Sequence, residues 1–316
     1  MQMFLRAVLG IFGLLAAAPA GAQQPLKKGE ALVFSYFKNN GQNGLHLAYS
    51  RDGYSWTSLK KDSSFLRPTV SKDKLMRDPC IIRGQDGQFH MVWTVSWNDK
   101  GIGYASSRDL VTWSAQQFVP VMRQEPDARN CWAPEITLDE ATGTYLIYWA
   151  TTITGRFPET QSAADKAYNH RLYYVTTKDF KTYSDTKLLY EPGFNIIDAT
   201  VRRDGQRYVM FLKDETREPA QKNLRVAFSN RLTGPYGKVS APITGKYWAE
   251  GPTAIKLGTE WLVYFDKYTE HQYGAVRSAD LQTWTDISDK VQFPKGLRHG
   301  TVFPVTEQEL DVLLKQ

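Results

Sequence analysis

Tyr104-Ala-Ser-Ser-Arg-Asp-Leu-Val-Thr-Trp113 reads as a β-favouring strand, a polar turn holding Asp, and an aromatic that opens the next strand. That is the pattern of a hairpin. Related stretches recur as Ala48-Tyr-Ser-Arg-Asp-Gly-Tyr-Ser-Trp56, Tyr174-Val-Thr-Thr-Lys-Asp-Phe-Lys-Thr-Tyr183, Val226-Ala-Phe-Ser-Asn-Arg-Leu-Thr-Gly-Pro-Tyr236 and Ala275-Val-Arg-Ser-Ala-Asp-Leu-Gln-Thr-Trp284. The aromatic markers at 56, 113, 183, 236 and 284 lie 57, 70, 53 and 48 residues apart, the length of a four-stranded propeller blade with variable loops.

Working outward, a second unit precedes four of the five copies: a short strand, a Gly turn, then an aromatic-rich strand. Asp78-Pro-Cys-Ile-Ile leads to Phe89-His-Met-Val-Trp93, and Pro134-Glu-Ile-Thr-Leu leads to Tyr145-Leu-Ile-Tyr-Trp149. Asp198-Ala-Thr-Val leads to Tyr208-Val-Met-Phe-Leu212, and Gly251-Pro-Thr-Ala-Ile leads to Trp261-Leu-Val-Tyr-Phe265. The first copy lacks this opening strand, while Gly300-Thr-Val-Phe-Pro-Val305 stands alone at the other end. Placing the orphan strand in the incomplete blade closes a ring and removes the long open sheet edge. The reading is an all-β, five-bladed propeller with four-stranded blades; helix is expected only over 307–314 and, briefly, 162–167.

Residues 1–22 hold Arg6, an apolar run from Ala7 to Ala18, and Ala20-Gly21-Ala22. This is the make-up of a signal peptide cleaved near Ala22, which predicts a secreted or periplasmic protein. Residues 23–316 are then one catalytic propeller domain, expected to be a monomer. The 316-residue chain carries 39 Lys and Arg against 33 Asp and Glu. These charges are interspersed, which argues for a solvated surface and against a nucleic-acid partner; no later stretch is apolar enough to span a membrane. Cys80 and Cys131 would meet an oxidising compartment, and whether they pair is open.

In a propeller the innermost strand of each blade runs beside the central axis, so the residues that begin these strands converge at one end of the channel. Here they are Arg77-Asp78-Pro79, Ala133-Pro134-Glu135, Ile197-Asp198-Ala199, Ala249-Glu250-Gly251-Pro252 and Arg298-His299-Gly300. One Asp before a strand is ordinary turn chemistry. Four acids at equivalent positions of successive blades are not, and crowded in one pocket they would split each other's proton affinities. Glycoside cleavage uses such a set, one carboxylic acid giving a proton to the departing oxygen and one carboxylate activating water. Hydrolysis on a metal would want clustered His, and of the five His only His299 is axial.

The ordered set Asp78-Pro79, Trp132-Ala-Pro-Glu135, Ile197-Asp198, Ala249-Glu250-Gly-Pro252 and His299-Gly300 resembles glycoside hydrolase family 43, over essentially the whole mature chain. The resemblance implies Asp78 as general base, Glu250 as general acid and Asp198 as the acid that orients the donor and tunes it, with inversion at the anomeric carbon. It implies arabinofuranosyl, xylosyl or galactosyl units of plant-type polysaccharides as substrates. No cofactor is required by it, although an axial Ca or Na ion near His299 would fit the family. Two departures stand out: Asp198 is followed by Ala-Thr where many members have Pro, and Glu135 falls at a variable position, where binding substrate or tying blades together are both open. Fructan-cleaving propellers share Arg77-Asp78-Pro79, but no Asn-Asp-Pro precedes it here and Glu250 is followed by Gly. A non-catalytic carbohydrate-binding propeller is the reading from another class.

Loops joining the second and third strands of each blade emerge on the carboxylate face, assigning the rim to 38–44, 96–101, 153–170, 214–223 and 268–272. Trp97, Trp132 and Trp248 are candidate sugar platforms, and Arg298 a candidate substrate contact. The long 153–170 loop is expected to wall one side of the pocket, which would favour exo action.

Overall fold

In a computed structural model, which describes residues 26–316, the five sequence repeats become five blades. The expected leader, 1–22, lies outside the described residues. Blade 1 contains β1 (Glu30–Tyr36), β2 (His46–Ser50) and β3 (Thr57–Ser58). Blade 2 contains β4 (Arg77–Arg83), β5 (Phe89–Thr94), β6 (Ile102–Ser107) and β7 (Gln117–Val119). Blade 3 is β8 (Trp132–Asp139), β9 (Thr144–Thr151), β10 (Arg171–Thr177) and β11 (Lys187–Tyr190); blade 4 is β12 (Ile196–Asp204), β13 (Arg207–Asp214) and β14 (Asn223–Ser229). Blade 5 is β15 (Glu250–Leu257), β16 (Glu260–Lys267), β17 (Gln272–Ser278) and β18 (Thr285–Asp286), and the chain ends in β19 (Val302–Thr306) and α1 (Glu307–Leu314).

The orphan strand closes the ring. β19 pairs antiparallel with β1, Glu30 opposite Thr306 and Phe34 opposite Val302, giving blade 1 its inner strand. Helix α1 follows at once, its Thr306 cap and Glu309 forming a reciprocal capping box. The 162–167 expectation becomes a single 3₁₀ turn, Ala163–Asp165, capped in the same way by Ser162.

The repeat has two physical jobs. First, Asp52, Asp109, Asp179 and Asp280 each accept two backbone N–H groups of the following turn through Oδ1, and the Ser or Thr two residues earlier accepts a third. The turn is thereby locked without help from the core. The copy without this Asp, Ser229-Asn230-Arg231, belongs to blade 4, whose outer position is an irregular run. That run still satisfies β14 through the N–H groups of Gly237, Ser240 and Ile243. Second, alternate residues of each strand face opposite neighbours, so five apolar wedges form, one between each pair of blades. One repeat aromatic packs into each: Trp56, Trp113, Tyr183, Tyr236 and Trp284. Asp109→Ala is expected to cost about 1 kcal/mol, a shift of about 2 °C in Tm for a domain of this size, measured by thermal unfolding.

Cys80 and Cys131 are both buried and free. Among the described residues no helix is long and apolar enough to cross a membrane.

Candidate active site

At the mouth of the channel the inner strands share a defect. The ladder skips between Arg77 and Cys80, Trp132 and Glu135, Ile197 and Thr200, and Glu250 and Thr253. Each skip is a β-bulge whose central residue has a left-handed backbone: Asp78 (φ 52°), Ala133 (φ 46°), Asp198 (φ 51°) and Gly251 (φ 58°). Bulges re-aim side chains and recur beside active sites, and Asp tolerates this conformation better than most residues. At Gly251 a Cβ would lie 2.4 Å from the His299 ring, so glycine is required there on two counts. The bulges also correct the expected register. Only Asp78 and Asp198 are equivalent; Glu250 stands one residue before its bulge residue and Glu135 two after.

Three of the four acids meet. Asp78, Asp198 and Glu250 line one cavity of about 790 Å³. His299 links the first two, its Nδ1 being 3.3 Å from Asp78 Oδ1 and 4.0 Å from Asp198 Oδ2. Asp198 Oδ2 accepts the N–H of Gly251 at 3.0 Å, fixing the peptide beside Glu250. Glu250 is held by Lys213 at 2.9 Å and Arg298 at 3.0 Å, and Arg298 also pairs with buried Asp266 at 2.5 Å. Glu135 is not in this cavity. It lies deeper on the axis, accepting hydrogen bonds from Thr200 and Thr301 at 2.9 Å each with Arg202 at 3.7 Å, and ties blades 1, 3 and 4 together. The long buried axis favours that use of an acid over substrate contact.

The equivalent carboxylates have opposite proton affinities. Burial alone would raise Asp78, but the His299 hydrogen bond and charge, the Arg77 charge and the Thr94 hydroxyl hold it below the usual carboxylate range. Asp198 is pushed up to about 6 by burial and by the charges of Glu250 and Asp78, against His299 and Lys213. For His299, burial disfavours the imidazolium, yet the Asp78 hydrogen bond and the charges of Asp198, Asp78 and Glu135 lift it to about 9. Among the described residues no group of three His, Cys, Asp or Glu is placed to hold a metal ion by itself, and His299 Nδ1 is engaged by Asp78.

Trp97 and Trp248, each 41% exposed, stand at the mouth, and Trp132 and Arg298 also line it. Trp132 donates to the Trp97 carbonyl, Trp97 to Asn40, and Arg77 lies 4.3 Å over the Trp97 ring. Four of the five rim loops contribute lining residues. The 153–170 loop does not: its Tyr168 and His170 rings pack behind Trp132 at 5.0 and 4.8 Å, bracing the platform rather than walling the pocket. Its length came from building this brace, and the exo reading that leaned on it loses its support.

Sequence reading missed a second ring of polar groups. Thr94 ends the second strand of its blade and Lys213 and Asp266 are the last residues but one of theirs, opposite Arg77, Ile197 and Glu250, and they reach Asp78, Glu250 and Arg298 respectively. The signal was available: in Trp93-Thr94, Leu212-Lys213 and Phe265-Asp266 a polar residue follows an apolar run.

A closed five-bladed propeller with a carboxylate-lined axial cavity is the frame of a class of sugar-processing enzymes. The chain matches over residues 28–311 the family model Glyco_hydro_43_rel, described as "Probable glycosyl hydrolase domain", and so belongs to this family within the glycoside hydrolase family 43 group. It is 24% identical over 268 residues to an alpha-L-arabinofuranosidase of Bifidobacterium longum subsp. longum, covering 73% of this chain but only 25% of that relative's length. Among solved structures it is similar to an alpha-L-arabinofuranosidase from Lactobacillus brevis (TM-score 0.54, 19% identity, 67% of this chain and 72% of that one). It is also similar to an endo-arabinase from Bacteroides thetaiotaomicron VPI-5482 (TM-score 0.53, 14% identity, 72% and 85%). At these identities the structural likenesses speak for the fold alone.

Proposed function

We propose that this domain is an inverting glycoside hydrolase that removes or cuts at arabinofuranosyl, xylosyl or galactosyl units of plant-type polysaccharides, and that it acts outside the cytoplasm. The observation that carries the reading is one cavity in which two equivalent Asp residues from different blades, their proton affinities shifted in opposite directions, stand beside a third carboxylate. Asp78, kept ionised, takes a proton from water as its oxygen attacks the anomeric carbon. Glu250 gives a proton to the departing glycosidic oxygen, so the C–O bond breaks as the new one forms on the opposite face. Asp198 orients the Glu250 segment through Gly251 and adjusts its charge environment. Trp97 and Trp248 supply apolar faces for sugar rings.

One observation favours a second assignment of the donor. Lys213 and Arg298 both hold the Glu250 carboxylate, whereas Asp198 accepts only a backbone N–H at hydrogen-bond distance and keeps its proton to about pH 6. In that version Asp198 donates and Glu250 positions. For either version, nitrophenyl α-L-arabinofuranoside, β-D-xyloside and β-D-galactoside are offered to the wild type and to Asp78→Asn. Turnover of at least one by the wild type, and at a rate roughly 10³-fold lower by the variant, is expected. Binding of arabinan or galactan with no turnover by either would mean a carbohydrate-binding propeller instead.

A further inference from the structure

The cavity carries more positive charge than the chemistry at Asp78, Asp198 and Glu250 uses. Its lining holds five Arg and Lys side chains and His299 against four acids, with Asp266 paired to Arg298 and Asp165 4.0 Å from Arg217 behind them. The positive charge that the chemistry does not use is concentrated on one wall, built by the end of β13 and the 215–222 loop. Lys213 and Lys222, both buried, share Glu215, which they hold ionised down to about pH 2 against the opposing effect of burial. Arg217 stands in front of them, 41% exposed on its side chain. Its guanidinium comes no closer than 3.5 Å to Glu215 and 4.0 Å to Asp165, and it makes no hydrogen bond among the described residues. Its planar fork of donors, held by two long ion pairs and by no hydrogen bond, lines the cavity. Beside it, Lys222 lies 5.8 Å from the ring of Trp248, the exposed apolar platform of this wall.

An aromatic face on the same wall as a guanidinium that makes no hydrogen bond among the described residues, with Lys213 and Lys222 behind it, matches a sugar ring that carries an anion. We propose that Arg217, Lys222 and Trp248 form a subsite for an acidic sugar adjoining the sugar at Glu250, its anion a uronosyl carboxylate or a sulfate ester. The proposal rests on the cavity being the glycan site. Arg217 forks onto the anion while Trp248 takes the ring face, and Glu215 stops Lys213 and Lys222 from repelling each other when the subsite is empty. Neutral chains fill the same space without using the guanidinium.

Calorimetric titration of the full chain, its turnover slowed by Asp78→Asn, tests this. The probes are trigalacturonate, its methyl ester, a sulfated galactan trisaccharide and neutral arabinotriose. The free acid, the sulfate or both are expected to bind at least about tenfold more tightly than the ester and the neutral sugar, with the advantage shrinking in high salt. A uronate preference names carboxylate as the anion, a sulfate preference names sulfate. Arg217→Gln is expected to abolish most of the advantage and Arg217→Lys to restore part of it; both keep the backbone bridge to Ala220. Binding of neither the free acid nor the sulfate more tightly than the ester and the neutral sugar, or an advantage that survives Arg217→Gln, overturns the proposal. If acidic probes bind but no aryl glycoside is turned over by the parent chain, the hydrolase reading fails and the subsite stands.

Discussion

Asp78→Asn is expected to lower kcat by roughly 10³-fold with KM changed little, the loss that follows when a positioned general base is removed. The amide is the same size and still accepts the Thr94 hydroxyl bond through its oxygen, and Asn is at home in the left-handed conformation of position 78. What disappears is the capacity to take a proton from water. The variant also removes a negative charge from His299, so the imidazolium weakens, but Asp198 and Glu135 continue to support it. Initial rates on whichever aryl glycoside the wild type turns over measure the effect. A variant within tenfold of wild type would mean that another group activates the water.

Glu250→Gln is expected to show a split between substrates. With a natural sugar as leaving group the rate falls by roughly 10³-fold, because the departing oxygen must be protonated; with a dinitrophenyl leaving group, which needs no proton, it falls by about tenfold or less. Gln keeps one oxygen to accept from Lys213 or Arg298 and turns its NH2 toward the other, so one of the two bonds at position 250 is lost. Asp198→Asn is the partner experiment. If Asp198 only tunes the site, it slows both substrates alike; if it is the donor, the split appears in Asp198→Asn and not in Glu250→Gln. Either way the wild-type pH profile carries the Asp198 titration, protonated below about pH 6 and ionised above. That inflection is expected to vanish in Asp198→Asn.

The propeller was legible because its repeat is written in local chemistry. The Asp turns and the wedge aromatics are short-range signals, so counting them counted the blades and left β19 as the strand that had to close the ring. The carboxylates were legible for the same reason, since each sits at the start of a strand beside the axis. Their depth was not. Whether an acid faces the cavity, like Glu250, or the axis below it, like Glu135, depends on its offset from a bulge. A bulge is one extra residue with positive φ, which Asp, Ala and Gly all supply here. The role of the 153–170 loop was equally hidden, because length alone does not say which face a loop packs against. Lys213 shares its place near the end of a second strand with Thr94 and Asp266, but Arg217 and Lys222 belong to no repeat, and only three-dimensional proximity to Trp248 gives them meaning.

Proton NMR of the first sugar released tests the central claim, that three carboxylates brought to one cavity by ring closure displace the glycosidic bond with a single attack by water. Followed from the start of the reaction, before mutarotation, the product is expected to appear as the anomer opposite to that of the substrate, and roughly 10³-fold more slowly with Asp78→Asn. First release of the same anomer as the substrate, or release by Asp78→Asn at the wild-type rate, would contradict it.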